Sequence, residues 1–454
     1  MELKVCKFGG TSLASAEQIR KVCDIVLSDP SRRIVALSAP GKRFSADTKV
    51  TDLLIACAEN SLRLGAADEA VKRVVDRFAE IAQALGLGPE VVNGLRDGLQ
   101  SRLAEPTSDP GRFTDGLKAL GEEHCARLVA RYLASRRIEA HYVDPKEAGL
   151  LLSDEAGNAR VLPVSYKRLQ GLRDRKGILV FPGFYGYTPS GQLVTFPRGG
   201  TDITGAVLAA AVGADLYENF TDVDSVYAAD PRVVESPASV EELTFAEMRE
   251  LSYAGFGVFH DEALEPVYRA GVPVRIANTN NPSAPGTRLV PRRKKPSRRV
   301  VGIASSSGFC SIFIGKYLMN REMGFVRRLL QIIEEAGLSF EHCPSGIDSI
   351  SVILRSDSFE RAAEQGIVER IRAELKPDSL DVGHGLALVM VVGENMRYTV
   401  GLAARATAAL ARANVNIEML NQGSSEISIM FGVKDEDAGK AVNALYDEFF
   451  RDGS

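Results

Sequence analysis

The sequence lacks several patterns that would point directly to a function. Its six cysteines include no C-x-x-C pair, which argues against a disulfide framework or a closed zinc site and favours reduced, structural thiols. No apolar run approaches the roughly 20 residues that a membrane helix needs, and the first residues do not resemble a signal peptide. We therefore expect a cytoplasmic protein that does not bind a membrane. The P-loop pattern G-x-x-x-x-G-K-[ST] is also absent.

Charge is nearly balanced along the chain. A formal net charge of -4 over 454 residues gives no global attraction to nucleic acid. The concentrated basic run Pro291 to Arg299 contains two prolines, Pro291 and Pro296, and we interpret it as a solvated linker rather than a nucleic-acid patch. The length predicts two or three domains.

The stretch from Lys4 to Ser12, K-V-C-K-F-G-G-T-S, reads as a short strand that enters a glycine turn. Gly9 and Gly10 would free the backbone for conformations that residues with a Cβ avoid. Hydroxyl residues then offer N-caps to an amphipathic helix. Unpaired amides, a helix N-terminus and Lys7 together favour an anion, so we predict a phosphate site. The alternative is a tight connection without a ligand.

Strands that alternate with helical stretches predict a mainly parallel sheet covered on both faces, with ligands beyond the carboxyl ends of the strands. Ser38, at the end of the strand Arg33 to Ser38, and Thr51 could therefore contact a substrate, although either could be only a helix cap. The predicted helix Phe113 to Arg137 carries Glu122 midway along its length. A carboxylate there usually lies on a solvated face, and the alternative is a binding role.

A second glycine turn lies between Leu193 and Gly205, where Arg198 precedes Gly199 and Gly200 and Asp202 follows. The guanidinium of an arginine can bind a carboxylate or a phosphate through two parallel hydrogen bonds. A purely structural salt bridge between Arg198 and Asp202 is the alternative.

A strand that ends at Thr221 and Asp222 places hydroxyl and carboxylate groups at its carboxyl end. Tyr227 could stack on a base and Arg232 could reach a phosphate. A metal site is the alternative, but the spacing of the acidic residues fits no closed metal motif.

The C-terminal part of the chain repeats itself at one constant offset. Each copy predicts a small α+β module. The matching pairs are Gly324-Phe325 with Gly401-Leu402, Ala336 to His342 with Ala413 to Met419, and Asp348 to Leu354 with Ser425 to Phe431.

With these motifs assembled, the chain resembles the aspartokinases, which are amino-acid kinases with a tail of two ACT modules, and it resembles their monofunctional form. The matching motifs are K-F-G-G-T-S (Lys7 to Ser12), G-E (Gly121-Glu122), P-R-G-G-T-D (Pro197 to Asp202), T-D-V-D-S-V-Y-A-A-D-P-R (Thr221 to Arg232), the segment Pro273 to Thr287, and N-Q-G-S-S-E (Asn421 to Glu426). The chain departs from the family at His260-Asp261, Phe220 and Thr201. None of these changes removes a charged group from the expected mechanism.

The resemblance implies an α/β fold with a mainly parallel, doubly wound sheet, followed by two ferredoxin-like α+β modules. The expected divisions are a catalytic domain at 1–290, a linker at 291–304, a first ACT module at 305–380 and a second at 381–454.

The resemblance also implies a reaction: ATP with Mg²⁺ phosphorylates the side-chain carboxylate of L-aspartate, the first step towards lysine, threonine and methionine. The implied catalytic residues are Lys7, Arg198 and Asp202. The implied aspartate pocket contains Ser38, Thr51, Glu122, Arg198, Gly199 and Thr201. The implied ATP site contains Lys7, Gly9, Gly10, Thr221, Asp222, Tyr227 and Arg232.

End-product inhibition by lysine or threonine is expected through the ACT modules, which would also build a homodimer or a higher homo-oligomer. The implied effector site contains Met323, Gly324, Phe325, Asp348, Ser349, Asn414, Asn416, Ile417 and Gln422. Three alternatives remain: a kinase for another small acid, a catalytically silent amino-acid sensor, and ACT modules that serve only dimerisation.

Overall fold

The structure is a computed structural model that describes residues 2–197, 199–257, 259, 263–293, 299–361, 364–396, 399–423 and 427–451. The chain divides into two compact units. The first unit comprises Met1–Val226, Ser239–Arg249 and Gly257–Arg293, and the second comprises Tyr227–Ala238, Glu250–Phe256 and Lys294–Ser454. Among the described helices, none is long and apolar enough to cross a bilayer.

The strands are β1 (Lys4–Phe8), β2 (Arg32–Leu37), β3 (Ala140–Tyr142), β4 (Ile178–Pro182), β5 (Tyr185–Tyr187), β6 (Leu193–Thr195), β7 (Leu216–Thr221), β8 (Val226–Tyr227), β9 (Ser239–Val240), β10 (Glu242–Thr244), β11 (Val274–Asn278), β12 (Thr287–Val290), β13 (Gly302–Gly315), β14 (Ser349–Arg355), β15 (Ser379–Val392), β16 (Met419–Asn421) and β17 (Ser428–Lys434). The helices are α1 (Ala16–Leu27), α2 (Val50–Leu64), α3 (Asp68–Ala84), α4 (Glu90–Leu103), α5 (Pro110–Ser135), α6 (Pro145–Ala148), α7 (Val164–Leu169), α8 (Gly200–Val212), α9 (Phe245–Tyr253), α10 (Leu264–Ala270), α11 (Phe325–Glu335), α12 (Ser356–Arg361), α13 (Glu364–Leu375), α14 (Leu402–Arg412) and α15 (Ala438–Tyr446).

An eight-stranded sheet organises the first unit, in the order β10-β12-β11-β7-β1-β2-β4-β3. The pairs from β11 to β3 are parallel, whereas β12 runs antiparallel to β11, so the prediction of a mainly parallel sheet is confirmed. Phe8 at the end of central β1 pairs in register with Leu37 of β2 and Phe220 of β7. The loops that follow these three strands therefore leave the sheet at one edge.

The core of the first unit explains its nearly continuous apolar strands. Val5, Cys6 and Phe8 of β1 are fully buried, because helices cover both faces of the sheet. The Phe8 ring stacks on Phe220 at 4.6 Å between centroids. Five of the six cysteines are buried and none is in a disulfide, as the scattered cysteine pattern predicts.

The second unit contains a five-stranded antiparallel sheet in the order β14-β13-β15-β17-β16. Strands β13 and β15 are each 14 residues long, and their first residues, Gly302 and Ser379, are separated by the same offset as the sequence repeat. Strand β13 pairs with both β14 and β15, and strand β15 pairs with both β13 and β17. The predicted module boundary between residues 380 and 381 consequently falls inside β15.

The repeat is also visible at the ends of two helices. Gly324 and Gly401, at φ 75° and 85°, precede the first residues of α11 and α14. Gly337 and Asn414, at φ 73° and 53°, follow the same two helices. Left-handed backbone favours glycine and tolerates asparagine, so the repeated positions are those where chain geometry restricts the residue type.

Two segments from the predicted catalytic range belong to the second unit, Tyr227–Ala238 and Glu250–Phe256. The amide of Ala238 donates to the Tyr446 hydroxyl at 2.8 Å, and the Asn443 Nδ2 donates to the carbonyl of Val233 at 3.2 Å. These bonds join the first segment to α15, close to the C-terminus.

Candidate active site

Lys7 lies at the centre of a polar cluster at the carboxyl edge of the large sheet. Its Nζ lies 2.7 Å from Oδ1 of Asp202 and 3.4 Å from Oδ1 of Asn219. Asn219 Nδ2 donates to the same Asp202 oxygen at 2.7 Å. Lys7 and Asn219 are register partners on neighbouring parallel strands, so their side chains project from the same face of the sheet.

Lys7 and Asn219 are both buried, so the charge of the Lys7 ammonium must be balanced within the protein. Lys7 is only 8% exposed, and Asn219 is fully buried. A buried ammonium group is costly unless a counter-charge and hydrogen bonds compensate for lost water, and Asp202 supplies the counter-charge. Asp202 lies in the first turn of α8, where the helix dipole also favours a carboxylate. The cluster thus holds the Lys7 ammonium in a fixed position, where it could bind the phosphate of a ligand.

The glycine turn after β1 provides space rather than unusual backbone angles. Gly9 has φ −73° and ψ 167°, which any residue can adopt, so the expectation of a restricted conformation is wrong at this position. A Cβ on Gly9 would lie 3.4 Å from the Lys7 Nζ, and one on Gly10 would lie 3.0 Å from the carbonyl of Ala39. Gly9 therefore lies beside the Lys7 ammonium, whereas Gly10 lets the turn lie against the loop after β2. Of the predicted caps, Ser15 accepts from the amide of Gln18 and caps α1.

Gly121 and Glu122 form a unit on α5. A Cβ on Gly121 would lie 2.8 Å from the Cβ of Ala39 and 3.1 Å from Leu54 Cδ1, so only glycine lets the helix approach the loop after β2 so closely. Glu122 is consequently 4% exposed, and its Oε2 has no hydrogen-bond partner among the described residues. Burial raises the pKa of Glu122 to about 8, although a hydrogen bond from the Ala39 backbone opposes the shift. The solvated-face interpretation is wrong.

The second glycine turn has a left-handed residue at its centre. Gly199 has φ 80° and precedes α8, in which Thr201 is buried. A Cβ on Gly200 would lie 2.7 Å from both Phe184 and Phe196, so the helix begins against two aromatic rings. Arg198, the predicted clamp for a carboxylate, lies outside the described residues.

The other predicted pocket residues lie at the same edge of the sheet. The Ser38 amide donates to the carbonyl of Phe8 at 3.2 Å, and half-buried Thr51 lies in the first turn of α2. Thr221 ends β7, and its hydroxyl donates to the exposed carboxylate of Asp222 at 3.3 Å.

The other two residues predicted for the nucleotide, Tyr227 and Arg232, fall in the second unit. Arg232 is 86% exposed at its side chain and pairs with Asp230 at 2.6 Å. An exposed pair of this kind contributes little to stability, so the guanidinium could exchange partners at small cost.

The predicted effector residues fall in the second unit and differ in exposure. Met323 is 96% exposed, and Asn414, Asn416 and Gln422 are also exposed. Phe325 is 2% exposed and belongs to the apolar core, so it packs beneath the sheet instead of facing solvent. The half-buried residues of this set are Asp348, Ser349 and Ile417, and Gly324 is exposed. The Asp348 carboxylate accepts from the Leu318 amide at 2.8 Å.

Sequence reasoning missed two residues of the site. Asn219 could have been found from strand register, because it occupies the position across from Lys7 in the adjacent predicted strand. Phe184 gave no such signal. Its φ of 72° is unusual for an aromatic residue, and its amide donates to the Thr204 hydroxyl at 3.1 Å.

Comparison with known proteins finds relatives of the same family along the whole chain. The Amino acid kinase family matches residues 2–278, and the ACT domain family matches residues 389–449. Aspartokinase 3 of Bacillus subtilis is 56% identical over 448 residues, which cover 99% of each chain.

Solved structures agree with the sequence comparison. Clostridium acetobutylicum aspartate kinase has a TM-score of 0.85 at 37% identity, with 98% of this chain and 100% of that one covered. Aspartokinase III of Escherichia coli, solved in complex with aspartate and ADP, has a TM-score of 0.82 at 26% identity, with 99% and 100% covered. The same protein in complex with lysine and aspartate has a TM-score of 0.77 at 27% identity and the same coverage. The chain belongs to the amino-acid kinase family and, within it, to the aspartokinases.

Proposed function

We propose that this chain transfers the γ-phosphoryl group of ATP to the side-chain carboxylate of L-aspartate and forms 4-phospho-L-aspartate. The observation that carries the proposal is the contact of 2.7 Å between Lys7 and Asp202 beside an open glycine turn. The acceptor carboxylate is already ionised near neutral pH, so the reaction needs no general base. Catalysis then depends on positioning the two substrates and neutralising charge.

Lys7 neutralises charge on the phosphoryl group as it moves between the substrates. Asp202 and Asn219 hold the ammonium in place, so little reorganisation is needed when charge develops. The amide of Gly10 supplies a further donor, whereas the predicted donor at Gly9 is already used, because its amide donates to the carbonyl of Phe220 at 3.3 Å.

The aspartate substrate is held by its two backbone groups. Glu122 pairs with the α-ammonium, because its buried Oε2 has no hydrogen-bond partner among the described residues. Arg198 clamps the α-carboxylate. Thr201, Gly199, Ser38 and Thr51 line the rest of the pocket.

ATP is held by Thr221, Asp222, Tyr227 and Arg232. Magnesium accompanies the nucleotide, because its preferred ligands are oxygens and phosphate supplies most of them in kinase sites. The exposed Asp222 carboxylate at the end of β7 offers oxygen of the same kind. When bound, the ion neutralises charge on the phosphates.

Regulation by lysine is the second part of the proposal. Its support is the complex of Escherichia coli aspartokinase III with lysine, together with the ACT match at residues 389–449. Lysine, or threonine with it, binds at the predicted effector residues other than the buried Phe325 and prefers an inhibited conformation. The protein is cytoplasmic and forms a homodimer or a higher homo-oligomer through its ACT modules.

A hydroxamate assay with ATP and a panel of acidic amino acids tests both parts. We expect product with L-aspartate but not with glutamate or N-acetylglutamate, and a lower initial rate when lysine is added. Product with another acid in preference to aspartate would refute the assignment of the substrate. A rate unchanged by lysine and threonine, singly and together, would refute the regulatory part alone.

A further inference from the structure

Two active-site loops of the first unit lie directly against each other. The loop after β1 contains Gly10, and the loop after β2 contains Gly41, whose amide donates to the carbonyl of Gly10 at 2.8 Å. A Cβ on Gly41 would lie 2.6 Å from the carbonyl carbon of Gly10. The first loop carries the predicted phosphate-binding glycines, and the second connects Ser38 to Thr51. The spacing of these loops therefore sets the spacing of the two substrates.

One buried side chain joins both loops. Arg77 of α3 is 5% exposed. Its Nη2 donates to the carbonyl of Ala14 at 3.1 Å and to the carbonyl of Gly41 at 2.8 Å. Its Nη1 donates to Oδ2 of Asp47 at 2.8 Å. Ala14 belongs to the first loop, whereas Gly41 and Asp47 belong to the second.

The chemistry of this contact requires arginine. A planar guanidinium presents several donors in fixed directions, whereas the ammonium of lysine is a single point charge on a flexible stem. An apolar residue would leave two buried carbonyls without this donor. The hydrogen bond from Arg43, aided by Arg77 and opposed by burial, holds the pKa of Asp47 well below its usual range, so the counter-charge is present at neutral pH.

We propose that Arg77 is a positioning residue for phosphoryl transfer, which fixes the glycine turn after β1 at a set distance from the aspartate-side loop after β2. The inference rests on the roles proposed above for these two loops. Arg77 acts through the two carbonyls and the carboxylate to which it donates hydrogen bonds.

The test compares Arg77→Lys with Arg96→Lys, which changes an exposed arginine of α4 whose side chain donates to Asn93 of the same helix. All assays are run well below the melting temperature of each full-length variant. We expect Arg77→Lys to lower kcat about 10- to 100-fold, since a displacement near 1 Å can cost about 100-fold, with at most a few-fold change in either KM. Arg96→Lys should match the wild type.

A second variant separates positioning from general loss of structure. Asp47→Asn removes the charged partner of Arg77 but keeps the side-chain volume, and we expect a smaller loss of kcat. Because both changes act on one contact, the double variant should lose less than the product of the two separate factors. Independent factors, or a wild-type kcat in folded Arg77→Lys, would overturn the inference. Wild-type and Arg96→Lys proteins that fail to phosphorylate aspartate would instead overturn the proposed function.

Discussion

Asn219 and Lys7 stand opposite each other on adjacent parallel strands, and both contact the carboxylate of Asp202. Asn219 thereby restrains the counter-charge of the catalytic ammonium. We expect Asn219→Ala to lower kcat about 10- to 100-fold, because a hydrogen bond to a charged group is worth about 1.5–3 kcal/mol. Steady-state kinetics with ATP and aspartate measure this effect. A variant with a lower melting temperature but an unchanged kcat would show that Asn219 only fills space.

Lys7→Met should abolish most activity while the protein remains folded. The change removes the cation that neutralises the phosphoryl group, and losses of about 100- to 1,000-fold in kcat are typical for one such electrostatic contact. Lys4→Met is the matched control, because Lys4 lies on the same strand and pairs with Asp29 at 2.7 Å. Near-normal activity of Lys7→Met, measured as ADP release dependent on aspartate, would contradict the assigned role.

Gly121→Ala should damage both stability and aspartate binding. The new Cβ would lie 2.8 Å from that of Ala39, and such overpacking costs about 1–3 kcal/mol. Movement of α5 would also displace Glu122, so KM for aspartate should rise more than KM for ATP. Gly116→Ala on the same helix places its Cβ no closer than 3.4 Å to Arg102, and it should be neutral or stabilising. Thermal unfolding measures the loss of stability, and the KM values for aspartate and ATP show whether aspartate binding is affected more.

The affinity for aspartate should depend on pH through Glu122. Burial raises the pKa of this carboxyl to about 8, so the free enzyme carries it protonated at neutral pH. Pairing with an α-ammonium requires the ionised form, and binding must release the proton. KM for aspartate should therefore fall about tenfold for each unit of pH between 6 and 8 and level off above 8. In Glu122→Gln this slope should vanish.

Stability gives an independent measurement of the same group. The pKa of Glu122 is raised from a reference value of 4.5, so the folded state holds the proton more tightly than the unfolded state. The contribution is fully present below pH 4.5 and is lost as the pH rises through about 8. Between pH 5 and pH 9 the melting temperature of the ligand-free wild type should consequently fall further than that of Glu122→Gln. Equal decreases would argue that Glu122 is not buried in solution.

The sequence was sufficient to predict the parallel sheet, because the strands are short apolar runs separated by helical stretches. The resemblance to the aspartokinases also brought Lys7 and Asp202 into one site, although their glycine turns follow strands of different sheets, β1 of the eight-stranded sheet and β6 of the two-stranded sheet β5-β6. The offset of the sequence repeat recurs between β13 and β15. These features depend on patterns of nearby residues, which can be recognised along the sequence.

Burial was harder to predict, because it depends on elements far apart in sequence. Glu122 is buried where Gly121 lets α5 meet the loop after β2, and no local pattern reveals that contact. The same limit applies to Tyr227–Ala238, whose partners in α15 lie close to the C-terminus. The role of Gly9 was inferred from backbone freedom, whereas its backbone angles are ordinary and its position is beside the Lys7 ammonium.

The repeat suggests a further comparison in the second unit. Gly337 has φ 73° with no atom within 4 Å of a Cβ, so Gly337→Ala meets backbone strain without a steric clash. We expect a loss of about 1 kcal/mol in the free energy of unfolding. Asn414 occupies the equivalent position at φ 53°, and Asn414→Gly should be neutral or slightly stabilising. Denaturant unfolding of both variants provides the measurement.

The bonds from Ala238 and Val233 to α15 have a consequence for biosynthesis. Translation delivers the chain from its N-terminus at about 5–20 residues per second, and domains that depend only on earlier residues can fold while synthesis continues. The segment Tyr227–Ala238, which includes two residues proposed to hold ATP, obtains these partners only when Asn443 and Tyr446 have left the ribosome. A nascent chain therefore completes this nucleotide segment only after α15 has been synthesised, and a chain truncated before Asn443 should leave that segment without its support.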